Sequence, residues 1–459
     1  ITMKGGRGHH GEAAPGAADR ALVLPVRDGP YQPGQADLEE AGLPWVATLE
    51  ADPWEATHCP YGRACMRIVH VTPCYAPAWA YGGPVSAVTA LTVEQAKLGH
   101  QVTVLTTNAF IESGAMAGWS DPEGVAVYRA PIVSHRLARS ARLFLSVGFG
   151  QLVKLHLRDA DVVHVHEHRT PQACVAALAC LRRRVPYVLS PHGSLPPVAQ
   201  RRAAKRLFDA ALGDRVVQGA AAIIAVSTVE RDQCLSRGIV SSKIAVIPHG
   251  VGLPEYEAPT VQPTACGTEG GQQRVILYLG RLHRQKGLSF LLRALAELIR
   301  VRSDVALVLA GPDDGYELTL RRQVAQLGLG SHVRFAGAIT GRDKVLAYTQ
   351  ADLVVYPSPY EIFGLVALEA ICCGTPVIVC RGTGSAELVE SLEAGAVVDY
   401  GDVRHLTQSM LWLLDDRACR SRLAALRTYL RRTYSWQRAA QETLDLYERA
   451  AKSPGRGGV

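Results

Sequence analysis

Apolar residues along this chain fall into short blocks separated by longer stretches of helical spacing. The blocks at 67–72, 101–106, 161–166, 186–190 and 222–226 are rich in Val, Ile and Leu, the pattern of strands buried on both faces. Between them, 85–98, 171–183, 200–212 and 228–236 read as helices. A second series places strands at 274–279, 305–310, 332–335, 352–356, 376–380 and 396–398. Its helices are expected at 287–301, 316–327, 342–350, 364–373, 384–391 and 403–415, with an amphipathic helix closing the chain from Trp436 to about Ala450. Strand then helix, twice over, predicts an α/β protein of two Rossmann-like, doubly wound parallel-sheet domains facing across a cleft. The boundaries are expected at 66–247, 248–435 and 436–459, with a Pro-, Thr- and Gly-rich surface loop over 254–273. Residues 1–65 hold no sustained period of 2 or 3.6 and are expected to form a weakly ordered extension. Met66, which opens Met66-Arg67-Ile68-Val69-His70-Val71, is the expected native or functional start.

Ligands of such sheets bind beyond the carboxyl ends of the strands, and the unusual residues fall there. The first strand runs into Tyr81-Gly82-Gly83-Pro84 ahead of a helix, where two glycines let the backbone approach a ligand at a positive helix end. The strand at 186–190 ends in Ser190-Pro191-His192-Gly193, which carries His192 towards the cleft. The second domain opens with Gly280-Arg281 and Lys286-Gly287, two fixed cations in one strand-to-helix loop suited to a diphosphate. In Tyr360-Glu361-Ile362-Phe363-Gly364-Leu365-Val366-Ala367-Leu368-Glu369, two carboxylates flank a turn at which a helix is expected to start near Phe363. Eight helical steps return to nearly the same face, so Glu361 and Glu369 can address one ligand, with the N–H groups of Gly364 and Leu365 beside them. Solvated surface acids are the plain alternative for the pair taken alone.

Bulk properties narrow the classes. Hydrophobic residues make up 48% and charged residues 20% of the 459, as in an ordinary α/β enzyme. No apolar run is long enough to span a bilayer, no signal-peptide pattern is visible, and the eleven cysteines form no C-x-x-C, so a cytoplasmic setting is expected. The net charge of +7 is concentrated in Arg182-Arg183-Arg184 and in Arg201, Arg202, Lys205 and Arg206. The latter lie on a helix with Leu207, Phe208 and Leu212, suited to peripheral contact with an anionic membrane, although a solvated basic face accounts for either cluster alone. Aromatics are not interleaved with the basic residues, so nucleic acid is not an expected partner. Asp161-Val162-Val163-His164-Val165-His166-Glu167-His168 places three histidines at period 2. That spacing suits a shared metal, but it would bury His164 in the sheet, and no metal is expected.

Together, Gly280-Arg281, Lys286-Gly287, Val333-Arg334-Phe335-Ala336-Gly337, Pro357-Ser358, Glu361, Phe363-Gly364-Leu365 and Glu369 resemble glycosyltransferase family 4. Pro73-x-Tyr75-x-Pro77, Tyr81-Gly82-Gly83 and Gly99-His100-x-Val102-x-Val104 resemble the opening of its first domain, and the likeness covers about residues 66–450. The resemblance implies the GT-B fold, with the terminal helix crossing back to the first domain. It implies retention of anomeric configuration and a UDP- or GDP-sugar as co-substrate, with no further cofactor. The acceptor would be a glycan or a polyprenyl-diphosphate-linked glycan, as in cell-surface polysaccharide synthesis. Glu369 would bind the ribose and Glu361 the donor sugar, and backbone groups of Phe363, Gly364 and Leu365 would hold sugar and phosphate. Arg281 and Lys286, with Gly280 between strand and loop, would neutralise the diphosphate, and Gly83 would contribute from the opposite domain. His192 would sit against the sugar near its reacting carbon, and Ala338 and Ile339 would line the base pocket. His166 and His168 would belong to the acceptor side. Ile362 stands where the family often has Gly. A nucleotide-sugar epimerase of the same fold, or an inactive nucleotide-binding relative, is the alternative reading.

Overall fold

The computed structural model describes residues 65–111, 119–120, 123–196, 202–252 and 273–452. The expected extension and the expected 254–273 loop fall almost wholly outside these residues.

The first half builds an eight-stranded sheet from β1 (Arg67–Val71), β2 (Gln101–Thr107), β3 (Trp119–Ser120), β4 (Val125–Ala130), β5 (Val162–His166), β6 (Tyr187–Ser190), β7 (Ala222–Ala225) and β8 (Ile244–Val246). Their order is β3-β4-β2-β1-β5-β6-β7-β8, and every pair is parallel except β3 with β4. Helix α1 (Gly83–Lys97) follows β1 and α2 (Thr228–Ser236) follows β7. The second half gives a six-stranded parallel sheet of β9 (Arg274–Leu279), β10 (Val305–Ala310), β11 (Val333–Gly337), β12 (Leu353–Tyr356), β13 (Val377–Cys380) and β14 (Gly395–Val398), ordered β11-β10-β9-β12-β13-β14. Its helices include α3 (Leu288–Val301), α4 (Gly341–Gln350), α5 (Leu365–Cys372) and α6 (Gly384–Ser391). Leu277, Val354, Val355 and Ile378 in the middle of this sheet are fully buried, which is why their strands read as continuous apolar runs.

The chain closes with α7 (Trp436–Lys452), whose Ala439, Leu444 and Tyr447 join Ile68, Val162 and Val188 in one buried cluster. The terminal helix thus lies on the first sheet. Three features were not foreseen. β3, β4 and β8 extend the first sheet, and helices over His135–Ala141, Phe149–His156 and Arg417–Thr433 add to the count. The last of these carries so many arginines that its apolar stripe of Cys419, Leu423, Leu426 and Leu430 is inconspicuous in the sequence. The helix expected at 200–212 is present from Arg202 and runs on to Gln218, with Asp209–Gly213 widened into a π turn. The buried Asp209 carboxylate is drawn inward there by Arg169 (2.5 Å) and Arg237 (3.0 Å).

The halves meet through specific polar contacts. Glu387 on α6 accepts from the Thr228 and Val229 N–H groups at the start of α2 (3.0 and 2.7 Å). Tyr360 Oη donates to the Gly193 carbonyl (2.6 Å).

Candidate active site

The donor-side candidates are assembled by two loops of the second half. β9 delivers Gly280 and Arg281, and a short 3₁₀ turn over Arg284–Lys286 presents Lys286 before α3 begins. Gly287 closes that turn at φ 74°, and a Cβ there would lie 2.0 Å from the Pro357 carbonyl oxygen, so only glycine allows the two loops to touch. Their contact brings Lys286 Nζ to 3.0 Å from Glu361 Oε2 and 5.2 Å above the Tyr356 ring. Tyr356 Oη donates to the same carboxylate oxygen at 3.0 Å. Arg281 pairs with Asp314 at 2.6 Å.

Glu369 is held by a parallel device. Lys344 Nζ lies 2.7 Å from Glu369 Oε1, and Tyr348 Oη donates to Oε2 at 2.8 Å. The helix carrying Glu369 starts at Leu365, one or two residues later than expected, because Gly364 takes φ 86° as its N-cap. A Cβ on Gly364 would stand 2.0 Å from Ser385 Oγ. Gly364 has no side chain to cap the helix, so the first-turn N–H groups remain available to a ligand. Ala338 and Ile339 lie just past β11 on an accessible loop. Lys344, Tyr348, Tyr356 and Asp314 carried no signal of their own, because an isolated lysine, tyrosine or aspartate on a helix or loop has no distinctive spacing.

Across the cleft stands the first half. A Cβ on Gly82 would be 3.7 Å from Arg281 Nε, which sets the Gly82-Gly83 turn directly against that cation. His192 takes φ 50° and Gly193 φ 76°. The Gly193 N–H donates to buried Glu230 at 2.6 Å, and burial pushes that carboxyl up to about 7. Ile362 fills the position where the family often has glycine, and a Cβ on Gly193 would meet its Cγ1 at 2.5 Å. The replacement therefore packs onto the His192-Gly193 turn from the other half of the molecule. Burial lowers His192 to about 4, so at neutral pH it is a neutral hydrogen-bonding group.

The period-2 histidines do not behave as one row. Glu167 takes φ 61°, which ends the strand alternation after His166. His168 therefore turns into the interior, where Nδ1 meets Ser194 Oγ at 2.7 Å and the ring faces Asp209. His166 is also buried, so neither residue lines the open acceptor side as expected. The nitrogens that converge belong to His70, His164 and His166, within 4.8 Å of one another. Two of them bond directly, His70 Nδ1 to His166 Nε2 at 3.0 Å, and His164 Nε2 meets Ser190 Oγ at 2.7 Å. Glu167 itself, with no distinctive spacing in the sequence, is bonded to the Tyr81 side chain next to the Gly82-Gly83 turn. It accepts from Tyr81 Oη at 2.9 and 2.8 Å, and burial raises it to about 7 despite Tyr81 and Arg142.

Residues 267–430 match the family described as glycosyl transferases group 1, and residues 82–250 match a glycosyl transferase 4-like domain. A D-inositol 3-phosphate glycosyltransferase of Nocardioides is 31% identical over 319 residues, covering 63% of this chain and 67% of that protein. The chain is a family 4 glycosyltransferase. The enzyme is accordingly a hexosyltransferase by family. Solved structures show where its fold belongs. Sucrose-phosphate synthase from Thermosynechococcus elongatus superposes with a TM-score of 0.67 at 22% identity, covering 84% of this chain and 98% of that one. The Anabaena protein HepE, solved in complex with UDP-glucose, gives 0.66 at 21% identity over 84% of this chain and all (100%) of its own. The glycosyltransferase therefore has the GT-B fold, two Rossmann-like domains with their sheets' carboxyl ends facing one cleft.

Proposed function

We propose that this glycosyltransferase moves a hexosyl unit from a UDP- or GDP-sugar to a glycan or lipid-linked glycan acceptor, with retention of configuration. The observation that carries the reading is that the wall holding Lys286 3.0 Å from Glu361 meets the other half of the molecule where Arg281 stands against Gly82 and Ile362 against Gly193. Arg281 and Lys286 supply the positive charge that a departing nucleoside diphosphate requires. Glu361 and Glu369 address donor-sugar and ribose hydroxyls, each already oriented by a lysine and a tyrosine. Phe363, Gly364 and Leu365 offer backbone N–H groups to sugar and phosphate oxygens, Gly83 opens α1 opposite Arg281, and Ala338 and Ile339 border the base. The chemistry we favour is front-face substitution. The bond from the anomeric carbon to phosphate oxygen breaks, the acceptor oxygen bonds to the same face, and its proton passes to the leaving phosphate. Orientation and diphosphate stabilisation then supply most of the acceleration. That HepE was solved with UDP-glucose makes a UDP-sugar the first donor to try.

Thermal unfolding of the full chain with UDP, GDP, ADP and their common sugar conjugates is expected to show selective stabilisation by one nucleotide. NMR of the product is then expected to show the donor's anomeric configuration. No response to any nucleotide, or inversion, overturns the reading.

For the acceptor side we propose contact with an anionic membrane, as befits envelope or exopolysaccharide synthesis at the inner face of the cell membrane. Residues 125–158 contain no acid. Within them Val133, Leu137, Leu143, Leu145 and Val147 are exposed beside Arg136, Arg139 and Arg142, which supports this face in addition to the Arg202–Phe208 helix with its exposed Leu207. No described helix is long and apolar enough to cross a membrane. Cosedimentation with vesicles containing anionic lipid is expected to fall as salt rises. Binding that ignores salt, or none, refutes the membrane part. The relatives named D-inositol 3-phosphate glycosyltransferases add a phosphorylated polyol as a second acceptor class, which the same arginines suit.

A further inference from the structure

Beneath His192 the first half holds a line of imidazoles that the transfer chemistry above leaves unused. His70 on β1 is the neighbour of His164 in the β1–β5 register, and His166 of β5 is the neighbour of Ser190 at the end of β6. Adjacent parallel strands therefore stack four histidines between the sheet's interior and the cleft. His192 Nε2 lies 3.0 Å from His166 Nδ1, and His166 Nε2 lies 3.0 Å from His70 Nδ1. His70 Nε2 lies 2.8 Å from Gln95 Oε1 on α1. Gln95 Nε2 reaches the Tyr447 hydroxyl of the terminal helix at 3.4 Å, and that hydroxyl is 2.5 Å from His164 Nδ1.

Burial lowers His70 and His192 to about 4 and His164 and His166 well below their usual value, so each ring is neutral and has one N–H and one lone pair. A single assignment at the inner end then propagates outward. With its oxygen on His70, the Gln95 amide accepts from Nε2–H of His70. The lone pair of His70 Nδ1 then takes the Nε2–H of His166, and His166 Nδ1 takes the Nε2–H of His192. Tyr447 supports this orientation by accepting from the Gln95 amide while donating to His164.

The geometry points to Gln95, His70, His166 and Tyr447 as positioning residues that hold His192 in the Nε2–H tautomer, with its Nδ1 lone pair offered to a hydroxyl of the transferred sugar. The inference rests on the donor site proposed above. Three aligned neutral rings polarise one another, so their negative end faces the cleft, where positive charge develops at the reacting carbon during glycosyl transfer. His192 also stacks on His249 (5.7 Å between ring centres), which meets Phe363 of the opposite loop edge-on at 5.2 Å. The ring is thereby fixed in place as well as in tautomer.

Gln95→Met keeps the volume but leaves His70 Nε2–H only a weak thioether acceptor. A buried unmet N–H costs more than a buried unmet lone pair, so the line reverses and His192 carries its proton on Nδ1. Gln95→Glu, kept neutral by burial, accepts from His70 Nε2–H with its carbonyl oxygen and gives its O–H to Tyr447, which restores the original direction. The test uses the full chain labelled with ¹⁵N-histidine, with the His192 signals assigned from His192→Gln. Expected are Nε2–H on His192 in the wild type and in Gln95→Glu, and Nδ1–H in Gln95→Met. The Gln95→Met variant should lose ~10-fold or more in kcat, about 1.4 kcal/mol or more, with donor KM within ~2-fold. Should Gln95→Met not fold, Tyr447→Phe releases the amide and is expected to mix the two His192 tautomers. Nδ1–H in the wild type, a tautomer unmoved by these variants, or unchanged kcat despite a moved tautomer overturns the inference. The tautomer is read without turnover, so failure of the donor assignment would appear separately, as a wild type that ignores nucleotides.

Discussion

Lys286→Ala is expected to lower kcat by roughly 10²–10³-fold, the range seen when one preorganised donor to a developing charge is removed. The melting temperature should move by only a few degrees. Lys286 sits in a short turn, partly open to solvent, and its ion pair with Glu361 is worth about 1 kcal/mol or less to folding at such a site. Its value lies in the reaction. Nζ is held 5.2 Å above the Tyr356 ring and 3.0 Å from Glu361, so little reorganisation is needed when charge appears on the leaving phosphate. Steady-state kinetics and thermal unfolding of the same preparation separate the two effects. Near-normal turnover in a folded Lys286→Ala protein would sink the diphosphate assignment.

Glu369→Ala is expected to remove about half or more of the nucleotide-dependent stabilisation. A ligand at 100 times its Kd raises stability by ~2.7 kcal/mol. Hydrogen bonds to a charged carboxylate are worth about 1.5–3 kcal/mol, so their loss weakens binding on the order of 10–100-fold and takes about half or more of that stabilisation with it. The variant should also melt a few degrees lower than the wild type, because Lys344 and the buried Tyr348 lose a partner. Calorimetric titration with the nucleotide chosen by the thermal panel measures the affinity directly. A Kd within ~3-fold of the wild type would remove Glu369 from the donor site, and would leave Lys286 and Arg281 to be judged on kinetics alone.

Much of this was legible in the chain itself. Val, Ile and Leu runs marked the strands buried on both faces, because parallel strands covered on two sides have no polar positions to break the run. Gly280, Gly287 and Gly364 marked the loops where the backbone takes a positive φ (150°, 74° and 86°) and a neighbouring residue comes too close for a side chain. The cations and carboxylates of those loops could be named for the same reason: they sit at short, fixed distances in sequence from the strands that carry them.

The tertiary structure decided what depends on which strands lie side by side. Nothing within 81–83 says that Gly82 faces Arg281, nearly two hundred residues away, or that Ile362 packs on Gly193. Glu369 announced itself, whereas Lys344 and Tyr348 acquired meaning only when α4 was laid against α5. The clearest case is the histidine row. Period 2 placed His164, His166 and His168 on one face, but a single positive φ at Glu167 turned His168 inward. The vacant place in the row is taken by His70 from β1 and His192 from beyond β6, because the sheet order β1-β5-β6 brings those strands beside β5. Local sequence sets which residues a strand carries and which side each faces. Strand adjacency and register come from burying whole faces against helices, and that non-local packing determined which histidines share a hydrogen bond.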